Sequence, residues 1–196
     1  MANVFAFHSV GNSIVTFLRN TYPAASGGHA MPGCAFELLS SADLDGEIDE
    51  AARIGLYLYR VTVNEHQRQA RARRAGGEAR APLGLDLHYL LTAWGGTALD
   101  EQVPLAWAMR QLDLAPVLDA SSLSPDAGWR RDEVIQIIPA ELAVDELMRI
   151  WDALAPSYRL SVSYVARVVQ LDPDEDAEQF PPVVARRLAY GGEERR

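Results

Sequence analysis

Apolar residues at Val4, Phe7, Val10, Ile14, Phe17 and Leu18 recur at intervals of three and four, which predicts a helix turning one face to a core. Asn3 is placed to cap it, and Tyr22-Pro23 to end it. The following AASGGHAMPG concentrates Gly, Ser and Pro and reads as a loop, after which CAFELL forms a short strand. A second loop, SSADLDGEIDE, carries five carboxylates and no base.

From Ile54 to Val63 the pattern changes to alternation. Ile54, Leu56 and Leu58 fall on one face, and Tyr57, Tyr59, Val61 and Val63 on the other, so this strand is apolar on both sides and belongs inside a sheet. Leu85, Leu87, Tyr89 and Leu91 share one face of a second interior strand, with Asp86, His88 and Leu90 on the other. Between the two strands, residues 66–81 hold Arg68, Arg71, Arg73, Arg74 and Arg80 against Glu78, a local charge of +4 that reads as an exposed hairpin arm. A helix is predicted from about Leu99 to Leu112, presenting Val103, Trp107, Met109 or Arg110, and Leu112, with Pro104 tolerable only near its first turns. VIQII is a short strand. PAELAVDELMRIWDAL is a helix opened by Pro139, with Leu142, Leu147, Ile150, Trp151 and Leu154 inward. YRLSVSYVARVVQL, rich in β-branched and aromatic residues, is the last core strand. Beyond Leu171, Asp172, Asp174, Glu175, Asp176 and Glu178 precede two prolines, and neither sheet nor helix is expected. The reading is one α+β domain over 1–171, a mostly antiparallel mixed sheet flanked by helices, with an arm at 66–81 and an acidic, then Pro- and Arg-containing tail over 172–196.

Composition narrows the function. With 48% hydrophobic and 23% charged residues in 196, the chain is long enough for one substantial core. The lone Cys34 allows no internal disulfide, which fits a reducing compartment. No basic leader or cleavage site marks a signal peptide, and no run of about 18 apolar residues predicts a membrane span, so the protein is expected to be soluble. A net charge of −9 speaks against a protein that neutralises phosphates. All 18 basic residues are Arg, which removes Schiff-base and P-loop lysine chemistry.

Candidate chemistry is sparse. Asp43, Asp45, Glu47, Asp49 and Glu50 offer oxygens to a hard cation, but Gly46 stands fourth from Asp43 where an EF-hand needs glycine sixth, and a solvated loop is the simpler reading. Asp86 and His88 lie two apart on one strand face and can polarise each other, as a small hydrolase would use them, yet no G-x-S-x-G elbow contains Ser9, Ser13, Ser40 or Ser41. His8, His29, His66 and Cys34 match no zinc spacing. The pairs Gly27-Gly28, Gly76-Gly77 and Gly95-Gly96 lack a phosphate-cradling context. The Arg-rich arm would grip a phosphate backbone in a nucleic-acid connector, but it lacks aromatics for stacking.

The strand block is more specific. LYLYRV at Leu56–Val61, Asn64, and PLGLDLHYLLT at Pro82–Thr92 resemble the tail-terminator family of phage-tail-like contractile injection systems, the antifeeding prophage among them. WDALAPSYRLSVSYVARVVQLD, with Trp151, Tyr158, Ser161 and Tyr164, is similar to that family's closing helix and strand, so the resemblance covers about residues 4–171. It implies an α/β subunit that assembles as a homo-hexameric ring, caps the distal end of the inner tube and contractile sheath, and stops their polymerisation. It implies tube and sheath proteins as partners, no cofactor and no turnover. It also implies assembly in the bacterial cytoplasm into an injection particle. The Arg-rich insertion and acidic tail stand outside the shared pattern.

A closed ring needs two different surfaces per subunit. The basic residues Arg68, Arg71, Arg73, Arg74 and Arg80 and the acidic residues Asp43, Asp45, Glu47, Asp172, Asp174, Glu175 and Asp176 are complementary charges on one chain. They are the expected head-to-tail contact.

Overall fold

The computed structural model describes residues 2–44, 51–64, 82–154 and 157–172. The first helix, α1 (Ala6–Thr21), buries Val10, Ile14 and Leu18, as the spacing predicts. It starts two residues later than the apolar pattern, leaving Val4 and Phe5 exposed. Asn3 serves the start from further out, its Oδ1 accepting from the Phe5 amide at 2.8 Å.

What reads as a featureless loop after α1 contains a small antiparallel pair, β1 (Ala25–Ser26) and β2 (His29–Ala30). Gly27 and Gly28 turn it with φ of 59° and 82°, a left-handed geometry open to glycine at little cost. Two residues per strand are too few for any periodicity to register.

Six strands make the main sheet: β3 (Ala35–Leu39), β4 (Arg53–Val63), β5 (Leu83–Trp94), β6 (Val117–Asp119), β7 (Val134–Pro139) and β8 (Ser161–Leu171). Their order is β3-β4-β5-β8-β7-β6, with β3 parallel to β4 and every other pair antiparallel. The expected mixed, mostly antiparallel sheet flanked by helices is therefore present. The hairpin connection at 65–81, with the whole predicted Arg arm, lies outside the described residues, as does 173–196.

Alternation in β5 separates two cores. Leu85, Leu87, Tyr89, Leu91 and Ala93 face α1 and the second helix, α2 (Ala98–Leu114). Leu90 and Trp94 face Leu39, Leu44 and Trp151, the last carried by α3 (Val144–Asp152). Leu142, Leu147, Ile150 and Leu154 pack on this second core as expected. Pro139, however, is the last residue of β7 and does not open the helix, which begins after Ala143. A proline lacking its N–H is tolerated at a strand end as well as in a first helical turn, so its presence does not decide between them. In α2, Met109 is exposed, and Pro104 sits buried within the helix rather than at its start.

The alternation predicted for β4 breaks at one point. Leu58 pairs with Tyr89 but Arg60 pairs with His88, so Tyr59 is the extra residue of a bulge. Beyond it the phase reverses. Val61 and Val63 leave the side of Tyr57 and Tyr59 and stand 40% and 49% exposed, while Arg60 and Thr62 take positions opposite His88 and Asp86.

Candidate functional site

The bulge determines what Asp86 and His88 do. Thr62 Oγ1 lies 2.9 Å from His88 Nε2, and Asn64 Nδ2 donates to both oxygens of Asp86, at 3.2 and 3.0 Å. Each member of the suspected pair is thus tied to β4, one strand away. Loss of hydration, and after it the Arg60 guanidinium, holds the His88 imidazole below its ordinary pKa, while Asp86 partly offsets this. The ring is neutral at pH 7 and acts as a cross-strand hydrogen-bonding group. The serines considered as nucleophiles lie elsewhere. Ser9 and Ser13 are buried on α1, where Ser9 Oγ donates to the Ser124 carbonyl (2.8 Å) and accepts from Trp129 Nε1 (2.8 Å). Ser13 Oγ donates to the Ser9 carbonyl (2.6 Å) and accepts from the Ser124 amide (2.8 Å). The three of these bonds that reach Ser124 and Trp129 pin the segment around the 3₁₀ turn Pro125–Ala127 to α1.

Of the charged residues expected at a subunit contact, only Asp43 and Asp172 are described; Arg68, Arg71, Arg73, Arg74, Arg80, Asp45, Glu47, Asp174, Glu175 and Asp176 lie outside the described residues. Asp43 accepts from Ser40 Oγ (2.6 Å) and the Ser40 amide (2.7 Å), and these bonds hold its carboxyl below the usual range. Asp172 anchors the end of β8, its amide donating to the Ala2 carbonyl at 3.0 Å. Burial raises the Cys34 thiol to about 11, so it stays protonated at neutral pH. Among the described residues no three His, Cys, Asp or Glu side chains converge on a metal position, and no helix is long and apolar enough to cross a membrane.

Among the described residues two features bear on how another chain attaches. One is the pair of sheet edges. At β3 the edge is partly occupied, because Arg19 Nη2 donates to the Phe36 carbonyl at 2.7 Å; at the far side β6 is only three residues long. The other is a groove of about 790 Å³ between α2 and the β1–β2 turn. Leu99, Val103 and Ala106 form one wall, Met31 and Pro32 the other, and Trp107 is partly its floor. Trp107 is fixed edge-on by Tyr22 (4.9 Å) and Phe36 (5.8 Å), so the floor is rigid. Arg110 and His29 also border the groove. No sequence signal separates this wall of α2 from its core face, because both are apolar.

Solved structures place the fold. The sheath/tube terminator of PVC, an extracellular contractile injection system, in its extended state superposes with a TM-score of 0.57 at 18% identity over 95% of this chain and 64% of that one. The tube-terminating cap of the anti-feeding prophage gives 0.56 at 18% identity over 92% of this chain and 60% of its own. This chain thus spans less than two thirds of either neighbour's length. The class is an α+β domain with the fold seen in the terminator caps of contractile injection systems. Residues 9–185 match the sequence model of the Pvc16 N-terminal domain, and the chain belongs to that family. The two neighbours are, by description, a sheath/tube terminator and a tube-terminating cap. No curated protein matches the sequence.

Proposed function

We propose that the protein caps the distal end of the inner tube and contractile sheath of a contractile injection system, as a homo-hexameric ring that ends their polymerisation. The observation that carries this reading is membership of the Pvc16 N-terminal domain family over 9–185, on a fold matching two terminators across nearly the whole chain. Tube protein, sheath protein and further copies of the chain are its partners. Assembly takes place in the bacterial cytoplasm, and the ring becomes part of an extracellular particle.

Within the ring, the basic stretch Arg68–Arg80 meets the acidic stretches at 43–50 and 172–178 of the next copy. Charges at an interface set register and partner choice more than affinity. The domain over 1–171 supplies the body of each subunit, and the arm and tail supply the links.

The test is the purified chain under negative stain and in native mass spectrometry, followed by tube assembly in its presence. Six-membered rings at one end of tubes of limited length are expected. Tubes that grow equally long with and without the protein would refute the cap. For the contact, Arg71→Glu, Arg73→Glu and Arg74→Glu together should dissolve the ring, and a variant that still runs as a hexamer rules the contact out.

A further inference from the structure

The α2 helix is apolar on two sides. Its inner side buries Leu105, Ala108 and Leu112, while Leu99, Val103 and Ala106 follow i, i+4, i+7 along the outer side, with Leu99 64% exposed. A helix apolar on both sides is normally covered on both. Its outer side instead forms the wall of a preformed groove with a fixed Trp107 floor and a cation, Arg110, at the end of the row. The occupant should be a short apolar segment that carries negative charge beside it.

Such a segment stands in this chain. Asp174, Glu175, Asp176 and Glu178 run directly into Phe180-Pro181-Pro182-Val183-Val184. The two prolines lower the entropy lost on docking, and their rings and Phe180 supply the apolar area. The family match runs past β8 to residue 185 and so includes this stretch.

Geometry makes the groove a long reach for the same copy's own tail. Asp172 is tied to Ala2, at the N-terminal end of α1, whereas the groove lies at the other end, where Tyr22 meets Trp107. The 16 residues of α1 separate these points by about 24 Å. Phe180 follows Asp172 by eight residues, a reach of at most about 28 Å when fully straight. A path around the domain surface is longer than that line. We infer that residues 178–184 of one copy seat in the α2 groove of the next, with Phe180 against Trp107 and the Glu178 carboxylate beside Arg110. This rests on the ring reading above.

The test places photoreactive p-benzoylphenylalanine at Phe180 in the full-length chain, mixed with isotope-labelled chain and irradiated after assembly. Cross-links from 180 into 26–32 or 99–110 that join labelled to unlabelled chains are expected. Ala106→Glu, an exposed position, should lower their yield at least about tenfold by placing a carboxylate in the apolar wall. Cross-links confined to one chain overturn the assignment to the next copy. An intact ring without cross-links in the groove overturns the inference and leaves the ring standing. An Ala106→Glu ring that assembles normally but no longer docks on tubes gives the groove to the tube protein instead. A chain that stays monomeric in native mass spectrometry sinks the ring and the inference together.

Discussion

Replacing Ser9 by alanine tests the buried hydroxyl network. Ser9 is 0% exposed, and its Oγ both donates to the Ser124 carbonyl and accepts from the Trp129 indole, each at 2.8 Å. Ser9→Ala removes one oxygen and strands two partners. A buried group left without its hydrogen bond costs about 1–3 kcal/mol. Ser124 and Trp129 are only half-buried, so water reaches them in part, and the expected loss is about 2 kcal/mol, near thirtyfold in the folding equilibrium. Urea unfolding, compared at one protein concentration, should show a lower midpoint with unchanged slope. Trp129→Phe removes the donor from the other side. The double variant should lose about 1 kcal/mol less than the two single losses combined, because the Ser9–Trp129 bond can be broken only once. Exposed Ser41→Ala, the control, should stay within about 0.5 kcal/mol of the parent. A Ser9→Ala loss below about 0.5 kcal/mol, or strict additivity with Trp129→Phe, would refute the network as a source of stability.

Gly55 faces Thr92 across the β4–β5 pair, and a Cβ there would sit 2.8 Å from Thr92 Oγ1 and against the Leu39 side chain. Gly55→Ala should therefore destabilise by about 1–3 kcal/mol through overpacking, read as a lowered melting temperature; an unchanged one contradicts this. Thr97 caps α2, accepting from the Asp100 amide at 3.3 Å, and Thr97→Ala should cost about 1 kcal/mol in chemical denaturation, against no measurable change if the cap is idle. Because His88 has a pKa below its ordinary 6.5 in the folded protein, protonation favours the unfolded chain. Its contribution is fully present above about pH 6.5 and is lost as pH falls through the depressed folded value. His88→Gln should flatten the stability profile between pH 7 and 5, leaving intact the decline at lower pH from Asp43 and Asp119, whose carboxyls are held below 3.8 by bonds to Ser40 and Ser121. Parallel profiles for variant and parent would count against it.

The long elements were legible because their patterns repeat. In β5, five alternating apolar residues define the face toward α1 and α2, and in α3 Leu147, Ile150 and Trp151 define one side. The two-residue strands β1 and β2 and the three-residue β6 offer no repeat, and only pairing across space creates them. The bulge at Tyr59 was hidden for another reason: alternation continues on paper through Val63, and the phase reversal exists only in the register with β5. That reversal brings Thr62 and Asn64 to His88 and Asp86, so the meaning of the suspected pair could not be read from its own strand. The groove leaves no trace in the sequence because it joins two segments some seventy residues apart. Ser9 and Ser13 stand in no nucleophile elbow, and nothing local announces their bonds to Ser124 and Trp129.

The hydrogen bond from Arg19 to the Phe36 carbonyl bears on how this domain behaves in a crowd. An arriving strand that sought to extend the sheet at β3 would first have to evict a guanidinium from that carbonyl, and at the opposite margin it would find only three residues to hold. A sheet bounded in this way resists stacking copy upon copy. Many subunits can then gather at one place, with contact directed to selected surfaces and no runaway fibre.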